Sequence, residues 1–264
     1  MENFITRSIS AIVYAGIFLF AILFSAETYI GLITLFAGIC IWEFSKIINY
    51  KSYIPYLLLG LCSAFVFVER PTISKTWIIL LVTLFSAVKL LIDLFSEKLT
   101  SKSKLTTLIV QIEYLVLPFF FLTLLPFLNK EYHPNLIIYI ILIIWTNDSF
   151  AYIVGKNFGK RKLFERISPK KTIEGFIGGL IFSIIIGFII GKYSALFTIG
   201  DWIIIATIVS VFGTMGDLVE SKFKRQANVK DSGTIMPGHG GLLDRLDSLF
   251  FLAPFVYLYV HYFM

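Results

Sequence analysis

Nine apolar runs of near membrane-spanning length follow one another along this chain, at about residues 9–25, 28–48, 53–69, 77–95, 106–127, 135–154, 173–191, 202–217 and 242–263. Crossing the hydrocarbon core of a bilayer as a helix takes roughly 20 predominantly apolar residues. Lipid offers backbone N–H and C=O groups no partner, so a crossing segment is either a helix or a strand of a closed barrel, and barrel strands alternate apolar with polar residues. These runs do not alternate. The expected fold is all-α, a polytopic bundle of about nine transmembrane helices forming a single integral membrane domain over residues 1–264. The third and eighth runs are the weakest, which leaves eight spans open. With 57% hydrophobic and only 15% charged residues, the composition excludes a water-soluble domain.

The first run follows a short polar start with Arg7, as a secretory signal would. It shows no small-x-small cleavage pattern, however, and a second run follows after a few residues, so it is read as a helix of the bundle. Cys40 and Cys62 both fall within runs, too few and too embedded for a disulfide framework or a zinc site. The basic residues suggest an orientation. With nine spans, seventeen Lys and Arg lie on the side of the N-terminus and four on the other, while Lys89 and Arg245 lie inside runs. The positive-inside tendency then places the N-terminus in the cytoplasm.

An ionised side chain within a span costs roughly 2.5–3.5 kcal/mol on insertion scales, so each should have a partner or a task. Lys89 and Asp93, four residues apart, are expected to pair with each other. Glu43 and Glu113 have no evident partner, and a buried structural hydrogen bond or a supporting role near a site are both open. The other acids gather at the same ends of their helices. Asp148 follows Asn147 in the sixth run. Asp217 and Glu220 begin a helical face that continues through Ser221 to Lys224 and Arg225. Asp244 and Asp247 share one face at the start of the ninth run. Converging carboxylates are tolerable when a hard divalent cation neutralises them. The stretches 155–172 and 218–241 carry eleven cations, more than these acids need, and such a surplus suggests a polyphosphate ligand.

Two plainer readings compete: basic loops that only set topology and anchor anionic lipid, and acids closed into structural salt bridges. Against the first stand Gly155, Gly159 and Asp148, which a solvated anchor does not need; against the second stands "MPGHGG", residues 236–241, a tight turn with few side chains that leads into the helix of Asp244. Turns of this kind expose N–H groups to anions. His239 within it is a candidate hydrogen-bonder to substrate rather than a base, and His133 and His261 fall on the opposite side of the membrane.

The stretch "SKFKRQANVKDSGTIMPGHGGLLDRLDS", residues 221–248, resembles the C-terminal signature of the phosphatidate cytidylyltransferases, also called CDP-diacylglycerol synthases; Met236 is the one departure, where that family has Leu, Ile or Phe. "NDSFAY" at 147–152, Gly155 with Lys156, "SPKKTIEG" at 168–175 and "GDLVESKFKR" at 216–225 resemble further blocks of the family. The likeness covers about the last 120 residues by motif and the first 130 by hydropathy and length alone.

The resemblance implies transfer of CMP from CTP to phosphatidate, giving CDP-diacylglycerol and pyrophosphate, by a homodimeric enzyme of the inner (plasma) membrane with its site toward the cytoplasm. It implies a Mg²⁺ requirement with K⁺ as a second metal, membrane lipid as partner, no nucleic acid, and Asp217 and Asp244 as metal ligands. The charge pattern adds Asp247 and Asp148 as ligands or their supports, and Lys170, Lys171, Lys224, Arg225 and Lys230 as binders of the triphosphate or lipid phosphate. Arg245 would brace the carboxylates or touch phosphate, and Ser168, Thr172 and Asn147 would hydrogen-bond phosphate or ribose. The expected catalytic set is thus Asp217, Asp244, Asp247, Lys224, Arg225 and Arg245, all within 135–264, while residues 1–130 have no assigned role. A transporter would need polar residues at mid-membrane depth and repeat symmetry, and neither is evident. A CTP-dependent reaction on another lipid phosphate, or a CTP-dependent lipid kinase, stays open, because no stretch suggests how cytosine is read.

Overall fold

The computed structural model describes residues 2–71, 73–96, 103–236, 238 and 240–264. Its helices are α1 (Glu2–Phe24), α2 (Ala26–Ile47), α3 (Ile54–Glu69), α4 (Ile73–Phe95), α5 (Lys104–Gln111), α6 (Leu117–Leu124), α7 (Pro134–Phe158), α8 (Ile173–Tyr193), α9 (Ile199–Gln226) and α10 (Leu243–Leu258). A π-helical turn, Ile112–Val116, joins α5 and α6 into one rod, and a second, Tyr259–Phe263, extends α10. Pro118, near the start of α6, has no N–H to give the preceding turn, and the wider π turn absorbs that missing bond. Among the described residues nine rods therefore stand where the nine apolar runs lie, and the chain is a polytopic helical membrane protein. Seven are long and apolar enough to cross a bilayer; Ile54–Glu69 and the apolar part of α1, Ser10–Phe24, are shorter.

Local chemistry sets the ends of these rods. Ser25 and Thr28 form a capping box on α2, and Thr198 with Asp201 forms another on α9. Proline occupies the first turn of α3 and α7, where its missing N–H is not needed. The eighth run, one of the two weakest in the sequence, belongs to the longest helix, the 28 residues of α9. Its apolar window closes near residue 217 because the rest of the helix turns carboxylates and lysines toward other helices rather than toward lipid. The basic stretch 155–172 is likewise not a loop throughout. It completes α7 and then forms a hairpin of β3 (Lys162–Phe164) and β4 (Ser168–Thr172), after the smaller β1 (Phe127–Leu128) and β2 (Glu131–Tyr132).

Lys89 corrects one sequence expectation. Its ammonium reaches Glu113, on the π turn, at 2.8 Å, rather than Asp93 on its own helix. Asp93 is exposed whereas Glu113 is partly buried, so the ion pair closes across the helix interface.

Helices α9 and α10, which carry three of the four candidate aspartates, pack closely. At the α9–α10 crossing a Cβ on Gly216 would lie 2.7 Å from Phe251 Cβ and 2.8 Å from the Asp247 carbonyl oxygen, so only glycine lets the two backbones approach this far. That crossing sets Asp217, the next residue of α9, beside the start of α10.

Candidate active site

Asp148 of α7, Asp217 of α9, and Asp244 and Asp247 of α10 line one cavity of about 410 Å³. Its other wall is apolar, with Tyr14 and Phe18 of α1 and Ile141, Ile144 and Trp145 of α7. Arg245 lines it as well. The acids that the sequence places at the ends of three separate runs thus share one space, half charged and half hydrocarbon.

Two lysines neutralise part of that charge. Lys171, at the end of β4, donates to Asp217 Oδ2 at 2.5 Å, and the Ser221 hydroxyl donates to Asp217 Oδ1 at 3.1 Å. Lys224 pairs with Glu220 one turn before it on α9 and with Asp244 Oδ1 at 2.5 Å. Asp244 Oδ2 accepts the Gly241 N–H at 2.8 Å and, from Ser232, both N–H and hydroxyl at 2.9 Å. Asp247 is buried and accepts the Ser248 N–H at 2.7 Å. Glu220, absent from the expected set, is 1% exposed, and its Oε1 has no hydrogen-bond partner among the described residues. Buried oxygens left without a donor are rare and call for an explanation.

Several expected substrate contacts prove to be occupied within the protein. Asn147 is buried, where its Oδ1 accepts from the hydroxyls of Ser210 at 2.6 Å and Ser183 at 3.4 Å, and its amide donates to Asp148 at 3.2 Å. It ties α7 to α8 and α9 and steadies Asp148. Thr172 caps α8, accepting the Gly175 N–H at 3.1 Å. Arg225 donates to the carbonyls of Ile167 and Val229, both at 3.3 Å, which fastens the β3–β4 hairpin to the end of α9. Glu174 secures the same hairpin from the other side by accepting the N–H groups of Lys160 and Arg161. Ser168 opens β4, and Lys170 and Lys230 are exposed. His239 lies outside the described residues, as does Pro237.

Sequence reasoning left Glu43 undecided, and the structure brings it into the site. From α2 its carboxylate reaches the N–H groups of Leu242 and Leu243 at 3.1 and 2.8 Å, at the start of α10. The one clue in the sequence was a carboxylate inside an apolar run; Lys46, three residues on, lies over the Trp42 ring in the structure and does not pair with Glu43.

Carboxylates and hydroxyls are the donors of a hard cation. Among the described residues no three acidic, histidine or cysteine side chains gather tightly enough to form a ready metal cage. Mg²⁺ does not require one, since it is usually held by one or two carboxylates together with substrate phosphates. Asp217 and Asp244 each hold a lysine ammonium at 2.5 Å, so positive charge already stands against both. The residues present therefore fit a divalent cation, whose charge would stand where the two ammonium groups now do.

Fold and site together define a polytopic membrane protein that presents an acidic, lysine-paired cavity lined by α1, α7, α9 and α10. The model of the cytidylyltransferase family matches residues 5–263, nearly the whole chain, and the chain belongs to that family. It is 48% identical over 128 residues to the phosphatidate cytidylyltransferase of Bacillus subtilis, an alignment covering 48% of each chain. It is 52% identical over 120 residues to the phosphatidate cytidylyltransferase of Staphylococcus haemolyticus and 53% over 120 residues to that of Staphylococcus aureus, covering 45% of this chain and 46% of the relative in both cases. The chain thus spans about half the length of the curated relatives it matches.

Proposed function

We propose that this protein is a phosphatidate cytidylyltransferase, which transfers CMP from CTP to phosphatidate and releases pyrophosphate. The observation that carries this reading is the cavity itself, with four aspartates opposite an apolar wall and two of those aspartates paired with lysines. An acidic cavity repels a triphosphate and a lipid phosphate unless cations stand between them.

In the reaction, a phosphate oxygen of phosphatidate attacks the α-phosphorus of CTP. The new P–O bond forms as the α–β bridge breaks, and the electron pair leaves with pyrophosphate. The attacking phosphate is already an anion, so no general base is needed, and positioning with charge neutralisation accounts for the catalysis. Mg²⁺, with K⁺ as a second cation, would be held by Asp217 and Asp244 with support from Asp148 and Asp247, and would neutralise the triphosphate. Lys171, at the mouth of this carboxylate set, would exchange Asp217 for a substrate phosphate, with Lys170, Lys230 and Arg245 adding positive charge nearby. Lys224 would hold Glu220 and Asp244 in place. Tyr14, Phe18 and Trp145 would take the start of the acyl chains.

The positive-inside bias supports a site facing the cytoplasm, the bacterial relatives support the inner membrane, and a homodimer is the assembly proposed. The test uses purified protein with phosphatidate and Mg²⁺ and CTP labelled separately at the α- and γ-phosphorus. Lipid-soluble label from α-labelled CTP alone supports nucleotidyl transfer. Transfer of the γ-label would instead identify a lipid kinase, and no transfer of either would overturn the reading.

A further inference from the structure

Glu43 is fully buried, yet among the described residues no lysine or arginine pairs with it. Its charge ends on backbone 200 residues away. Oε1 accepts the Leu242 N–H at 3.1 Å, and Oε2 accepts the Leu243 N–H at 2.8 Å and the Ser232 hydroxyl at 3.2 Å. These N–H groups open α10, where no preceding helical carbonyl can serve them, and the positive end of the helix dipole favours an anion there. Asp244 takes the adjoining donors on its Oδ2, namely Gly241 N–H, Ser232 N–H and the Ser232 hydroxyl. Glu43 and Asp244 therefore divide three consecutive N–H groups between them and share a hydroxyl whose single proton serves one at a time.

The loop is shaped around this carboxylate. A Cβ on Gly241 would sit 2.6 Å from Glu43 Oε2 and collide with the Ser232 hydroxyl, and one on Gly233 would collide with Glu43 Oε1. Gly240 adopts φ of 90°, a conformation L side chains rarely take, and a Cβ there would lie 2.8 Å from Asp244 Oδ2. With Oδ2 tied to the loop, the carboxylate plane of Asp244 is set and Oδ1, the partner of Lys224, is the oxygen left to a cation.

We propose that Glu43 is a positioning residue for nucleotidyl transfer, holding Ser232 and the backbone of Leu242 and Leu243 so that Asp244 presents Oδ1 to the reacting phosphates. This inference rests on the proposed reaction, and it gives α2, which lies outside the motifs quoted from the sequence, a role in the site.

Glu43→Gln keeps the size of the side chain but turns an NH₂ toward N–H donors, so at least one backbone group loses its acceptor. Glu43→Asp keeps the charge on an arm shorter by one methylene. Full-length wild type, both variants and Ser232→Ala would be compared by hydrogen exchange with mass spectrometry and by steady-state kinetics per folded protein. In Glu43→Gln, exchange across residues 241–243 should rise at least about tenfold, the loss expected for a hydrogen bond to a charged acceptor, while peptides of α8 stay unchanged. kcat should fall at least about tenfold with KM for CTP moving less than about threefold, and Glu43→Asp should recover part of the kcat. Ser232→Ala should shift both readouts the same way by less, and it decides the matter if Glu43→Gln does not fold. Wild-type exchange at 241–243, or a kcat loss that only tracks the folded fraction, would overturn the inference. Wild type that makes no CDP-lipid would overturn the reaction instead, and the exchange data would still judge the hold on the loop.

Discussion

Lys224 offers the sharpest test of how the site is held. Its side chain is 10% exposed and that of Glu220 2%, and its ammonium pairs with both Glu220 and Asp244. Lys224→Met keeps the bulk and removes the charge. Asp244 would still have three donors on Oδ2, but Glu220 would be left with none on either oxygen among the described residues, because Oε1 already lacks one. Stranding a buried charge by removing its partner costs about 3–5 kcal/mol. The donors remaining to Asp244 put the expected loss at the lower end, about 3 kcal/mol. Adding Glu220→Gln replaces the stranded charge with a neutral amide, so the double variant should recover more than half of that loss, a coupling within the roughly 0.5–3 kcal/mol seen for residues in one network. Reversible unfolding in mixed micelles, followed across a denaturing-detergent titration for wild type, each single variant and the pair, measures all four corners. A Lys224→Met protein as stable as wild type, or a double variant no more stable than Lys224→Met, would refute this account and return Lys224 to the phosphate-binding role suggested by the sequence.

Three further outcomes are expected. Asp217→Asn and Asp244→Asn should each lower turnover by at least about a hundredfold in protein that remains folded in detergent, with near-normal rates in both counting against a shared cation; kcat and thermal unfolding are the paired measurements. Chelation with EDTA should stop CDP-lipid formation and added Mg²⁺ restore it, whereas turnover that continues through chelation would remove the divalent cation from the reaction. Gly216→Ala should push α9 and α10 apart against Phe251 and the Asp247 carbonyl, costing about 1–3 kcal/mol of stability, and an unchanged unfolding midpoint would show that the crossing can relax.

The rods were legible from the chain alone because lipid reduces the problem to one dimension. Length and apolarity decide where a helix crosses, and all nine runs became helices. The candidate acids were legible for a related reason: Asp148, Asp217, Asp244 and Asp247 stand out as costly charges in or beside apolar runs, and helical spacing puts Asp244 and Asp247 on one face. The α9 boundary was not legible, since hydropathy ends where a helix stops facing lipid rather than where it stops being a helix. Nor were the partners. Lys89 chose Glu113 over the acid one turn away, Asn147 and Arg225 spent their polar atoms on the bundle, and Glu43 reached across the sequence to cap α10.

The sequence by itself thus determined that this chain is a polytopic helical membrane protein and which of its charges needed a reason to be there. Only the tertiary structure decided which charge meets which, because a pairing depends on the rotation and approach of two helices. That geometry is set by contacts such as Gly216 against Phe251, between residues far apart in the chain, and hydropathy does not encode it.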